Sequence, residues 1–199
     1  MTGVMLDDFE LDLDCYKVRL GLALLDIDYV KVPVNRYPPT NNAPAEVPIL
    51  RNGDQDIRGA EEALQYLANR FASDTHWAPT ESPLDGHLAS WLEFSASTFC
   101  AVTTARDIAL YSTEPLDEFV RAARGALQKL DDHLALQRIS NHWVVGPQPT
   151  IADIALFPAA ALTRDIGIDR GTYPALRWWL RRMQALPGFI VMPGIPVFP

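Results

Sequence analysis

The chain has 199 residues, 48% of them hydrophobic, which is enough for a packed core in one large domain or two small ones. Its formal net charge is −8, with 14 Arg and 3 Lys against 25 acids, and that balance argues against nucleic acid or an anionic membrane as partner. No apolar run approaches 18 residues and no charged-then-apolar signal segment opens the chain, so a cytoplasmic protein with no membrane association is expected. Cys15 and Cys100 have neither metal-ligand spacing nor a disulfide framework.

In chain order, residues 4–9 (VMLDDF) predict a first strand, weakened by Asp7 and Asp8, and residues 10–14 a loop. CYKVRLGLALL is helical from Cys15, with Val18, Leu22 and Leu25 on one face; Asp14 is the preferred N-cap and Asp12 the alternative. Residues 29–34 predict a second strand, placed at an edge by Pro33. Residues 47–58 predict a β-hairpin turning at Asn52-Gly53 in a type I′ turn. Gly59 ends it, and from Ala60 the period becomes helical through Ala63, Leu64, Leu67 and Phe71. The polar, Pro-bearing stretch 72–82 marks the boundary between two units.

Everything after that stretch reads as helix. One helix is expected over 83–101 and another over 115–136, the latter with an apolar stripe from Leu116 through Phe119, Val120, Ala123, Leu127 and Leu130 to Leu134. Thr150-Ile-Ala-Asp153 predicts a capping box at the head of a buried helix. Residues 174–186 form a last helix ahead of a Pro-rich tail. Cys100, inside an apolar stretch, is expected in the core.

Three separated segments carry a family likeness. FELDLDCYKVRLGLALL is one, and the stretch from Val47-Pro48 through the hairpin to Tyr66-Leu67 is the second. The third is the pair VGPQPTIADIAL and YPALRWWLRRMQALPGF. In order and spacing they resemble the glutathione S-transferases of the bacterial cytosolic type. The resemblance implies a thioredoxin-like α/β domain over 1–73, a linker over 74–82 and an all-helical domain over 83–199. It also implies a cis bond before Pro48 and a homodimer built on the 60–71 and 83–101 helices.

The same resemblance locates a site and shows where it departs from the family. The family's hydroxyl for stabilising a bound thiolate falls at Asp12, and the neighbouring Asn position is Asp14. Either carboxylate would repel a developing thiolate. Cys15 is a possible nucleophile at a helix start, although a buried structural thiol is the expected state. The family's acid-Ser pair for the γ-glutamyl carboxylate becomes Gly59-Ala60, followed by Glu61 and Glu62, which on position alone read as ordinary first-turn acids. RYPPTN (36–41) replaces a helix and leaves Arg36 as a substitute contact. The Val47-Pro48 backbone remains to pair with the cysteinyl backbone of glutathione. A second pocket for a small apolar or electrophilic substrate would be lined by Trp91, Ser95, Phe99, Thr103 and Arg106, with the Pro-rich tail. His87 and His133 have no assigned role, and no metal is expected. The implied function is a glutathione S-transferase-like protein with a weakened glutathione site. The alternative is a glutathione-independent binding module, or an enzyme whose substrate replaces glutathione.

Overall fold

A computed structural model describes residues 3–35, 46–72 and 75–195. Residues 36–45, with Arg36 and the RYPPTN stretch, lie outside them, as do positions 73–74 at the expected boundary. Four strands form one mixed sheet in the order β2-β1-β3-β4. They are β1 (Val4–Asp8), β2 (Tyr29–Pro33), β3 (Ile49–Asn52) and β4 (Gln55–Arg58). β1 and β2 run parallel around helix α1 (Leu13–Leu24), whereas β1–β3 and β3–β4 are antiparallel. Helix α2 (Ala60–Phe71) follows the hairpin. A helical region completes the chain: α3 (Leu84–Ala96), α4 (Cys100–Tyr111), α5 (Asp117–Ile139), α6 (Ile151–Ala161) and α7 (Pro174–Gln184). This is the expected class, a thioredoxin-like α/β sheet followed by an all-helical region.

Helix α1 lies between two cores. Ten of its twelve residues are buried, so its pattern is not one-sided. Val18 and Leu22, four residues apart, pack with Val4, Leu6, Leu50 and Leu67 on the sheet side. Leu13, Tyr16, Leu20 and Leu24 face the helical region and join its core. The tail reinforces that contact: the Tyr16 hydroxyl donates to the Ile190 carbonyl at 2.6 Å, and the Phe189 ring meets Phe157 edge-on at 5.2 Å. Gly188, at φ 82°, brings its backbone so close that a Cβ there would lie 2.9 Å from the Ala23 carbonyl oxygen. The tail, as far as residue 195, is therefore a strap against α1 and α6.

Two acids survive inside β1 because each meets a cation. Asp8 pairs with Arg19 and lies 3.0 Å from Lys31 Nζ; Asp7 meets Arg51 Nη2 at 2.5 Å. β2 takes the expected edge position. The hairpin turns one residue later than expected. Asn52 pairs with Gln55, so Gly53 and Asp54 are the central residues, and only Gly53 has positive φ (61°). That is the pattern of a type II′ turn, not type I′. The Val47–Pro48 and Ser82–Pro83 peptides are cis.

Four further expectations are corrected. Helix α1 begins at Leu13 and is capped by Asp12 rather than Asp14, because the apolar Leu13 is drawn into the core and the helix starts two residues early. Phe71 ends α2 at 44% exposure, while Ala60, Ala63, Leu64, Leu67 and Ala68 are the buried face. The helix expected over 83–101 breaks at Ser97–Phe99, where the Phe99 N–H reaches back five residues to the Phe94 carbonyl at 2.8 Å. That break turns Cys100 outward, so it is exposed, and its thiol donates to the Ser97 carbonyl at 2.7 Å.

The helical region follows its sequence closely. Ala123, Leu127, Leu130 and Leu134 of α5 are buried, with Leu116, Phe119 and Val120 half-buried at its start. The capping box at α6 forms as expected, and every residue of α6 is buried. Asp153 does more than cap, since it also accepts from Val144 N at 3.1 Å and Trp179 Nε1 at 2.8 Å. Burial pushes its carboxyl up to about 6, against the downward pull of those donors.

Candidate functional site

Three chain segments meet where the sheet unit touches the helices: the N-terminus of α1, the N-terminus of α2, and the α3–α4 junction. At α1, Asp12 has extended backbone (φ −79°, ψ 133°), and its carboxylate accepts the Cys15 N–H at 2.8 Å. The residue in the family's hydroxyl position is thus buried and turned onto its own helix. Cys15 is fully buried, with its sulfur accepting from Phe9 N at 3.4 Å. Burial first, then the Asp12 carboxylate, push its thiol far above the ordinary range, which opposes thiolate chemistry.

At α2, Gly59 serves as N-cap without any side-chain bond, and its N–H reaches the Pro48 carbonyl at 3.4 Å. Its φ of 92° favours glycine, and a Cβ there would lie 2.3 Å from Glu62 Oε2, so the Glu62 carboxylate folds back over the helix start. Ala60 is buried. Glu61 is not the ordinary first-turn acid its position suggests. Its Oε1 accepts from Lys17 Nζ at 2.8 Å and from Ser95 Oγ at 2.7 Å, tying α1, α2 and α3 together. Lys17 is buried and also meets Asp14 Oδ1 at 2.8 Å. Burial alone would lower its pKa; the two carboxylates outweigh that and hold it above the ordinary lysine value.

This tie forms the floor of a cleft of about 280 Å³ between the sheet unit and the helices. Of the five expected pocket residues, Ser95 and Thr103 line it. The other three do not. Trp91 is half-buried against Phe94 and His133, at ring distances of 5.0 and 4.3 Å. Phe99 is in the helical core. Arg106 is buried, with Nε 2.8 Å from Asp165 Oδ2 and Nη1 donating to the Leu11 carbonyl at 3.1 Å, so it ties α4 to the first loop. Ring packing, the helical core and the Asp165 pair claim these three side chains in place of the cleft.

Lys17, Thr104 and Asp107, which no sequence motif marks, also line the cleft. The Asp14–Lys17 spacing of three was a readable signal for a pair, but nothing local pointed to Glu61 as the third member. Among the described residues no group of His, Cys, Asp and Glu could hold a metal ion, and no helix is long and apolar enough to cross a membrane.

Comparison with known proteins agrees with this architecture. Residues 54–182 match the family model described as glutathione S-transferase, C-terminal domain. A curated relative, glutathione S-transferase verG of Clonostachys rogersoniana, is 24% identical over 189 residues, covering 88% of this chain and 77% of its own. Among solved structures, a possible glutathione S-transferase from Rhodopseudomonas palustris aligns with a TM-score of 0.79 at 28% identity, over 97% of this chain and 99% of that one. A glutathione transferase homolog from Lodderomyces elongisporus, solved with two glutathione molecules per subunit, shares the fold at TM-score 0.82 and 16% identity, over 94% and 96% of the two chains. The matched family model spans well over half of the sequence, and the chain belongs to the glutathione S-transferase family.

Proposed function

We propose that this glutathione S-transferase family member acts on a small substrate in the cleft between two units, residues 1–73 and 83–199, with a glutathione site that has lost most of its affinity. The observation that carries this reading is Asp12: a carboxylate stands at the thiolate-stabilising position and is committed to the Cys15 N–H. Ala60 removes a second donor, at the place where the family receives the γ-glutamyl carboxylate. Each lost charge-assisted hydrogen bond is worth about 1.5–3 kcal/mol, so the two together weaken glutathione binding by roughly 100-fold or more. The Val47-Pro48 backbone remains available as a main-chain cradle.

Calorimetry tests this. Glutathione is expected to bind the unmodified protein weakly or undetectably, with little turnover of generic aromatic electrophiles. Asp12→Ser with Ala60→Ser is expected to recover part of the binding. A micromolar affinity in the unmodified protein would sink the proposal.

A second reading, a glutathione-independent protein on this fold, draws support from the Lys17–Glu61–Ser95 tie, which commits the first turn of α2 to structure. The same titration separates the two, because this reading expects no recovery in the double serine variant.

We also propose a homodimer through α2 and α3. Phe71 is exposed and meets Tyr66 edge-on at 6.5 Å, and a cavity of about 290 Å³ runs beside Gln65, Asn69, Leu88 and Leu92. Light scattering at micromolar concentration is expected to give twice the chain mass; a monomer mass overturns this.

A further inference from the structure

The first turn of α2 carries two acids of the chain's own, Glu61 and Glu62. The leading N–H groups of a helix have no intrahelical partner and lie at the positive end of its dipole, so carboxylates are stabilised there. The two acids are nevertheless used differently. Glu61 Oε1 is bonded to Lys17 Nζ and Ser95 Oγ, which balances its charge and ties its side chain to α1 and α3. Glu62 is exposed, and its carboxylate folds back over Gly59.

Gly59 makes that position possible. A Cβ on this residue would lie 3.2 Å from the Glu62 carboxyl carbon and nearer still to Oε2, so any side chain at 59 would have to displace the carboxylate. A φ of 92° favours glycine there as well. The Gly59 N–H is directed to the Pro48 carbonyl at 3.4 Å, so a capping box does not account for the folded-back acid. The same bond sets Gly59 beside the Val47-Pro48 segment. A carboxylate over Gly59 therefore borders the main-chain cradle.

We infer that Glu62 is a built-in occupant of the carboxylate position at the start of α2, and that it excludes the γ-glutamyl carboxylate of glutathione by charge and by volume. The inference rests on the reading that this helix start belongs to a weakened glutathione site, and it adds a cause of a different kind. Ala60 withdraws an attraction, whereas Glu62 adds a repulsion. Gly59 and Glu62 act together, because the missing side chain at 59 opens the space that the carboxylate fills. The obstacle is a side-chain position and not a rebuilt backbone, so one substitution removes it.

Two probes test this in the whole isotope-labelled protein: glutathione, and cysteinylglycine, which lacks the γ-glutamyl group. Each is titrated while the amides of Ala60 and Glu61 are followed. Glu62→Gln keeps the shape and removes the charge; Glu62→Ala removes both. Glutathione is expected to bind about fivefold more tightly to the Gln variant, the size of one screened charge contact, and at least as tightly to the Ala variant. Cysteinylglycine should bind all three proteins equally. The inference is overturned if neither variant tightens glutathione, if cysteinylglycine gains as much as glutathione does, or if glutathione moves these amides in no variant. Micromolar glutathione binding by the unmodified protein, tightened further by Glu62→Gln, defeats the weakened-site proposal and leaves this one standing. Weak binding that Asp12→Ser with Ala60→Ser improves and Glu62→Gln does not has the reverse meaning.

Discussion

Replacing Arg19 with Met is expected to lower the stability of the sheet unit by about 3–5 kcal/mol, the cost of stranding one partner of a buried ion pair. Asp8 ends β1 with its side chain fully buried, and the Arg19 guanidinium supplies its close partner from the next element in the chain. The same guanidinium donates to the Glu10 carbonyl at 2.8 Å, so it also fixes the loop that leads into α1. Lys31 stands 3.0 Å from the other Asp8 oxygen, but its side chain is 38% exposed and Glu10 competes for it. A screened surface lysine recovers only a fraction of the loss. Urea unfolding reads the effect as a fall in midpoint. Asp8→Leu in the same background is expected to restore most of it, because an apolar side chain there leaves no orphaned charge. A fall of less than about 1 kcal/mol would show that Lys31 alone satisfies Asp8.

The same residues show what the sequence could and could not reveal. β1 looked weak because Asp7 and Asp8 disfavour strands, and their rescue comes from Arg51, forty-four positions away, and from Arg19 on a neighbouring helix. Local propensity contains neither fact. The α6 capping box was legible in full because all its parts lie within four residues. The break between α3 and α4 was not. Leu88, Leu92, Ser95, Phe99, Val102 and Arg106 are all buried and recur every three or four positions straight through it, with no Gly or Pro to interrupt. A continuous stripe therefore concealed the turn that exposes Cys100. The start of α2 was half legible: Gly59 and Ala60 showed what the site lacks, while the use of Glu61 depended on Lys17 and Ser95 arriving from two other helices.

Lys17→Met is the companion test at the cleft, and it separates structure from ligand chemistry. The substitution leaves Glu61, whose side chain is 12% exposed, with Ser95 as its remaining bonded partner among the described residues, whereas Asp14 can turn to water. Stranding a mostly buried carboxylate this way is expected to cost about 3–5 kcal/mol. Adding Glu61→Met should recover most of that loss, since apolar residues of similar volume often replace a buried pair at no net cost. The double-mutant cycle gives the coupling directly, expected at about 2–3 kcal/mol between these contacting groups. The same tie joins α1 and α2 to α3, so its loss in the single variant should also loosen the contact between the sheet unit and the helices. Faster amide exchange at Ser95 and its neighbours, slowed again in the double variant, is the accompanying signature. Should the double variant be no more stable than Lys17→Met alone, Glu61 would not be stranded by the loss of Lys17, and Ser95 with solvent would suffice to hold its carboxylate.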